Sequence, residues 1–342
     1  MTRNRIAVLD ILRVIGMIFV MLIHSPVDGD ANSSPTIFIL KKYLASGAVP
    51  VFFLLSGYLG SKSLQSPTLR ISAFAKNKLN TLIIPFLFWN FLVLALVFAA
   101  KAGGLASVVR GSGAYFDVEF SLTSIACAIF GIGRFPIVYQ FWFLRDLIVI
   151  SFVAFFLCRA LPRMPLLPWF FFFIPLPMAS SLGYFLLGHH LHGVLPPERL
   201  PRVRSSLLFC LCWFGMGIGV LAGLVSIPYP IQQIGSAAFL LMVAIALSTV
   251  RWSHRLALLG PAIFFVYAIH EPLQTIIAKV WQLLNVPYYD SLFCFLLIPA
   301  FVFSICVVSY FLLCKIAPQP MSIATGNRER PNKAVDSTRY RA

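Results

Sequence analysis

Apolar runs of about twenty residues, the length a helix needs to cross the hydrocarbon of a bilayer, recur along this chain of 342 residues. They fall at roughly 6–25, 44–60, 80–101, 120–133, 140–158, 166–191, 205–226, 231–250, 258–283 and 290–315. A backbone in hydrocarbon must satisfy its own polar groups, which a helix does within one segment. The expectation is an all-α fold: a polytopic transmembrane helix bundle of about ten spans. The run 120–133 is short, and 166–191 carries Pro168, Pro175 and Pro177, which kink it or divide it into two pieces. Ten is the expected count, within a range of nine to eleven.

Composition agrees. The chain is 59% hydrophobic and 11% charged, with a mean hydropathy of +0.88, whereas soluble domains carry about 25% charge. A net charge of +16 would suggest nucleic acid in a soluble chain. Here the basic residues lie in short segments between apolar runs, so the charge is read as membrane topology, with no nucleic-acid partner. If the N-terminus is cytoplasmic, eighteen Lys and Arg fall on the inner segments and five on the outer ones. That asymmetry places both termini in the cytoplasm. The first run has no small-residue cleavage pattern after it and is read as a retained span. The expected organisation is an integral membrane domain over 1–316, followed by a disordered, basic cytoplasmic tail over 317–342. The seven cysteines lie in or beside apolar runs without zinc-type spacing. They are read as small core residues, and no metal site is expected.

The chemistry begins in the first run, RNRIAVLDILRVIGMIFVMLIHSP, which carries Asp10, Arg13 and His24. Ionisable groups in hydrocarbon are costly and usually functional. On a helix, Arg13 and His24 point within about 20° of each other and Asp10 lies about 40–60° away, so the three share one face. Arg13 and His24 are still about 16 Å apart along the axis. One small reacting centre cannot touch both; an elongated ligand can. The ordinary structural reading is that Asp10 and Arg13 neutralise each other at i and i+3 and that His24 is an interfacial polar residue. Elsewhere, YQFWFLRDLIVI buries an Arg145–Asp146 pair, SLGYFLLGHHLH ends a span in histidines, and PAIFFVYAIHEPLQ puts His270 and Glu271 inside an apolar helix before Pro272.

Five pieces of the sequence occur in an order that resembles the acyltransferase-3 family of integral membrane acyltransferases, whose bacterial members modify cell-surface sugars. They are Leu9-Asp10-Ile11-Leu12-Arg13 with His24; Phe52 and Phe53 leading to Ser56-Gly57-Tyr58; Lys76 and Lys78 before Ile84-Pro85-Phe86; Trp142-Phe143-Leu144; and Tyr267, His270 and Pro272. The match covers most of 5–315. It departs in the basic cluster, where arginines are usual and lysines stand here, with Asn80 at a position that is often arginine. No further folded domain is legible after the last run, so a stand-alone member is expected.

The resemblance implies transfer of an acyl group, commonly acetyl, from acyl-CoA (acetyl-CoA) as co-substrate to a sugar hydroxyl of a surface polysaccharide or glycolipid. It implies a multi-pass protein of the bacterial inner (plasma) membrane, with the lipid bilayer, the donor and a glycan acceptor as its partners. Such chemistry needs a base and oxyanion stabilisation. His24 is the candidate base. Arg13 suits the donor's phosphate or amide groups, and Asp10 would hold Arg13 in place. His270, Trp142, Arg145, Ser56 and Glu271 are assigned to the substrate side. Direct transfer and an acyl-histidine intermediate both fit. The competing reading is a multi-span transporter of a small molecule or glycolipid, since intramembrane Asp, Arg, His and Glu also mark transport paths.

The topology is testable. A single cysteine placed near the C-terminus of a cysteine-free variant is expected to resist an impermeant thiol reagent in intact cells and to react after permeabilisation. Labelling in intact cells would reverse the orientation.

Overall fold

The computed structural model describes residues 3–27, 34–66, 68–104, 117–161, 164, 166–176, 178–194, 203–250, 252–284 and 291–327. Helix dominates, and no strand occurs among the described residues. The elements are α1 (Arg3–Ile23), α2 (Pro35–Gln65), α3 (Ile71–Ala102), α4 (Leu122–Phe130), α5 (Tyr139–Ala160), α6 (Leu167–Phe173), α7 (Ala179–Val194), α8 (Val203–Leu221), α9 (Tyr229–Ser248), α10 (Ile263–Leu283), α11 (Leu292–Ile316) and α12 (Pro318–Thr325).

Among the described residues, six helices are long and apolar enough to cross a membrane: α2, α3, α5, α9, α10 (taken with the turn from Ser253) and α11. Their outward faces carry bare apolar side chains, among them Leu96, Phe156, Phe293 and Val308, as expected where lipid replaces water. The chain is thus an integral, multi-pass membrane protein. Four of the expected runs, 6–25, 120–133, 166–191 and 205–226, are not among these six, and two of the four form only short helices. The run 120–133 forms only the nine-residue α4, capped by Ser121, whose Oγ accepts from Ser124 N–H, and closed by Gly131 in the left-handed conformation. The proline-containing run 166–191 is two helices, α6 and α7, because prolines interrupt the backbone ladder. The expected disordered tail also needs correction at its start. Pro318 begins α12, and Trp89 of α3 donates an indole hydrogen bond to Ala324 O at 2.9 Å. Residues 328–342 of that tail lie outside the described residues.

The chain divides into two compact units. The first takes in Met1–Gln65 and Cys158–Phe311; the second takes in Ser66–Leu157 and Leu312–Arg330.

In the first unit α1 is the central element. Ile11, Val14, Met17 and Met21 are almost wholly buried, packed with Val51 of α2, Leu240 and Ala244 of α9, Val266 of α10 and Val302 of α11. Ionisable groups on a helix in hydrocarbon face the bundle interior, which sets α1 among its neighbours. Beside it, α2 and α7 approach to backbone contact. A Cβ added at Gly57 would overlap the Phe185 carbonyl, and one added at Gly188 would overlap the Leu54 carbonyl. Gly57 and Ser61, four residues apart, give α2 the small-residue stripe that close helix packing in membranes uses. Ser61 Oγ donates to His189 O across the seam.

In the second unit Asn90 of α3 is fully buried. It donates to Phe86 O at 2.7 Å and accepts from Val138 N–H at 3.3 Å. Phe86 and Phe141 stack beside it.

A methyl group at position 188 has only backbone to meet. Gly188→Ala is expected to lower the thermal midpoint of the detergent-solubilised protein, with a cost of about 1–3 kcal/mol from overpacking. Gly215→Ala, in open space on α8, is expected to be neutral or slightly stabilising, because alanine favours helix. Equal melting of the two variants would contradict the packing described.

Candidate active site

Asp10 and Arg13 lie one turn apart on α1 and pair directly, Arg13 Nη1 to Asp10 Oδ1, at 2.6 Å. The pair is half-buried. On its far side the turn before α10 presses backbone against it: a Cβ at Gly260 would lie 3.2 Å from Asp10 Cγ. The Asp10 carboxylate thus has both Arg13 and the Gly260 backbone close to it.

Three turns beyond Arg13, His24 follows the last residue of α1, Ile23. The chain leaving the helix is held by Lys41 of α2, whose ammonium donates to Ser25 O at 2.8 Å and to Val27 O at 3.0 Å. A cation at a helix C-terminus meets carbonyls that lack helical partners, so the contact is favourable. Lys41 sits in a widened, π-type turn, Ile39–Tyr43. Such turns are frequent at functional sites.

The His24 ring meets the edge of His270 from α10, with 5.4 Å between ring centroids and 69° between planes. His270 is fully buried. Its Nδ1 lies 2.9 Å from Tyr267 O. A carbonyl only accepts, so Nδ1 carries the hydrogen, and in the neutral ring Nε2 presents a lone pair. That Nε2 is buried without a hydrogen-bond partner. One turn on, Gln274 is also buried. Its amide N–H donates to Met21 O of α1 at 3.0 Å, which assigns the amide orientation and leaves Oε1 as the other end. Oε1 too is buried without a partner.

The structure thus brings His24 to His270 and Asp10 to Arg13, with the Asp10–Arg13 pair midway along α1 and His24 at its C-terminal end. Glu271 follows His270 but is half-buried and engages Thr275. Ser56 donates to Phe52 O of its own helix at 2.7 Å; its neighbour Gly57 makes the helix contact. Trp142 and Arg145 belong to the second unit. Trp142 stands edge-on to Phe143. Arg145 donates from Nε to Asp146 Oδ1 and from Nη1 to Gly131 O, both at 2.9 Å, so its guanidinium is anchored locally.

Sequence reasoning missed Gln274 and Lys41. The signal for Gln274 was its place four residues after His270, on the same helix face. Lys41 was legible only as a loop charge. Among the described residues no group of three or more His, Cys, Asp or Glu could hold a metal ion.

Comparison with curated proteins gave no match, and neither did comparison with solved structures. Residues 6–314 match the family model of the acyltransferase-3 acyltransferase domain. That is nearly the whole chain, so the protein belongs to this family and is a membrane acyltransferase.

Proposed function

We propose that the protein is an O-acyltransferase that moves an acyl group, acetyl in the simplest case, from acyl-CoA to a sugar hydroxyl of a surface polysaccharide or glycolipid at the bacterial inner membrane. The observation that carries the reading is the meeting of His24 and His270 in a chain whose family transfers acyl groups. The family also favours this reading over a transporter.

In the proposed reaction His24 takes the proton of the acceptor hydroxyl as its oxygen attacks the thioester carbonyl. The tetrahedral intermediate collapses with cleavage of the C–S bond. The leaving thiolate recovers the proton from the imidazolium, giving the ester and free CoA. Arg13, held by Asp10, binds phosphate or amide groups of the donor through its planar fork. The donor then lies along α1, its charged end at Arg13 and its acyl end about 16 Å away at His24. His270 faces the acceptor. Its bond to Tyr267 O supports a hydrogen-accepting role for Nε2, whereas oxyanion stabilisation fits only the doubly protonated ring.

Different failures are expected along α1. Loss of a general base removes about 10²–10⁴-fold of rate, so His24→Ala should abolish transfer from radiolabelled acetyl-CoA to a mixed glycan fraction yet still bind the donor. Arg13→Ala should weaken donor binding, with poor rescue by lysine, and Asp10→Asn should show a milder form of the same defect. Loss of donor binding in His24→Ala with binding kept in Arg13→Ala would reverse the donor's direction.

His270→Ala is expected to insert and purify normally. It should lose about tenfold or more in kcat/KM for the acceptor, as for the loss of one buried hydrogen bond, with donor KM unchanged. Full activity would return His270 to a packing role.

A further inference from the structure

Two polar atoms one turn apart on α10, His270 Nε2 and Gln274 Oε1, are buried without hydrogen-bond partners. His270 is 0% exposed and Gln274 1%. Buried polar atoms are almost always satisfied, so these two acceptors ask for a ligand; a third orphan, the donor Trp281 Nε1, lies two turns further along the same face of α10. Their hydrogen-bonding sense is determined by what their other ends do. Tyr267 O takes the hydrogen of Nδ1, and Met21 O takes the hydrogen of the Gln274 amide. Both remaining ends are therefore acceptors. Residues at i and i+4 stand about 5–6 Å apart at Cβ, a spacing that neighbouring hydroxyls on one ring can bridge.

We propose that His270 and Gln274 form a single subsite that reads two hydroxyls of the acceptor sugar next to the one acylated, so that the enzyme selects a polyol ring over a simple alcohol. The inference rests on the sugar-acceptor reading above and adds to it the residue that sets specificity. An ester, ketone or carboxylate would offer only acceptors to two acceptors and leave all of them unpaired. The flanking titratable groups fit a neutral ligand. His24 lies against His270, Lys41 holds the end of α1, and Glu271, which engages Thr275, is the nearest carboxylate in sequence. Gln274 has a second task, since its amide ties α10 to α1 three residues before His24. A hydroxyl drawn to Oε1 is thus held by the same side chain that positions the end of α1.

The test uses purified protein, radiolabelled acetyl-CoA, and methyl pyranosides of gluco, galacto and manno configuration with their monodeoxy analogues. The wild type is expected to lose about 10–10²-fold in kcat/KM when a hydroxyl beside the acylated one is removed, the effect of leaving a buried acceptor unpaired. In Gln274→Leu the penalty for one such position should fall to near unity, with the rise confined to acceptor KM. Gln274→Glu keeps an acceptor oxygen in either protonation state and should keep the selectivity. Each ratio is measured within one preparation, so a smaller folded fraction does not affect it. A wild type indifferent to deoxygenation overturns the subsite alone, as does a Gln274→Leu protein that retains the full penalty; either result leaves the two acceptors to an internal water. Absence of transfer to every sugar by an enzyme that still turns over acetyl-CoA overturns the sugar reading, and this inference with it.

Discussion

The enclosure of α1 governs the first unit. A helix in hydrocarbon can carry Asp10, Arg13 and His24 on one face only if each finds a partner inside the protein, because lipid supplies none. Asp10 and Arg13 find each other, Gly260 closes on the carboxylate, and His24 meets His270. The residues that look most out of place in the first apolar run are thus the ones around which the neighbouring helices are arranged.

That arrangement is held by backbone as much as by side chains. Lys41 and Gln274 both grip carbonyls at the end of α1, so the segment bearing His24 is tied to α2 on one side and α10 on the other. Its position therefore does not depend on apolar packing alone, which in lipid has no hydrophobic drive behind it. The same economy appears at the α2–α7 seam, where Gly57 and Gly188 allow helix backbones to touch. Van der Waals contact and a serine-to-carbonyl bond do there what water exclusion does in a soluble core.

Much of the architecture was legible before any coordinates. Long apolar runs mark the six candidate spans, and the i,i+3 spacing announces the Asp10–Arg13 pair. Less legible were features that depend on where a helix stops. The runs 120–133 and 166–191 are apolar enough for spans, yet a serine cap and a left-handed glycine bound the first to nine residues, and prolines divide the second. The start of the polar tail reads as disordered because its composition is poor in apolar residues, but Met321 and Ala324 are enough to seat a short helix against α3.

By itself the sequence determined that the chain is a multi-pass membrane helix protein and that His24 and Arg13 share one face of one helix. Period and length along a single segment carry that information. Only the tertiary structure decided which histidine meets His24, which end of Gln274 is engaged, and that Arg145 reaches Gly131 O. The physical reason is one of range. Helical periodicity is set by bonds four residues apart, whereas Met21 and Gln274 are 253 residues apart, and only the packing of whole helices brings such groups within hydrogen-bond distance.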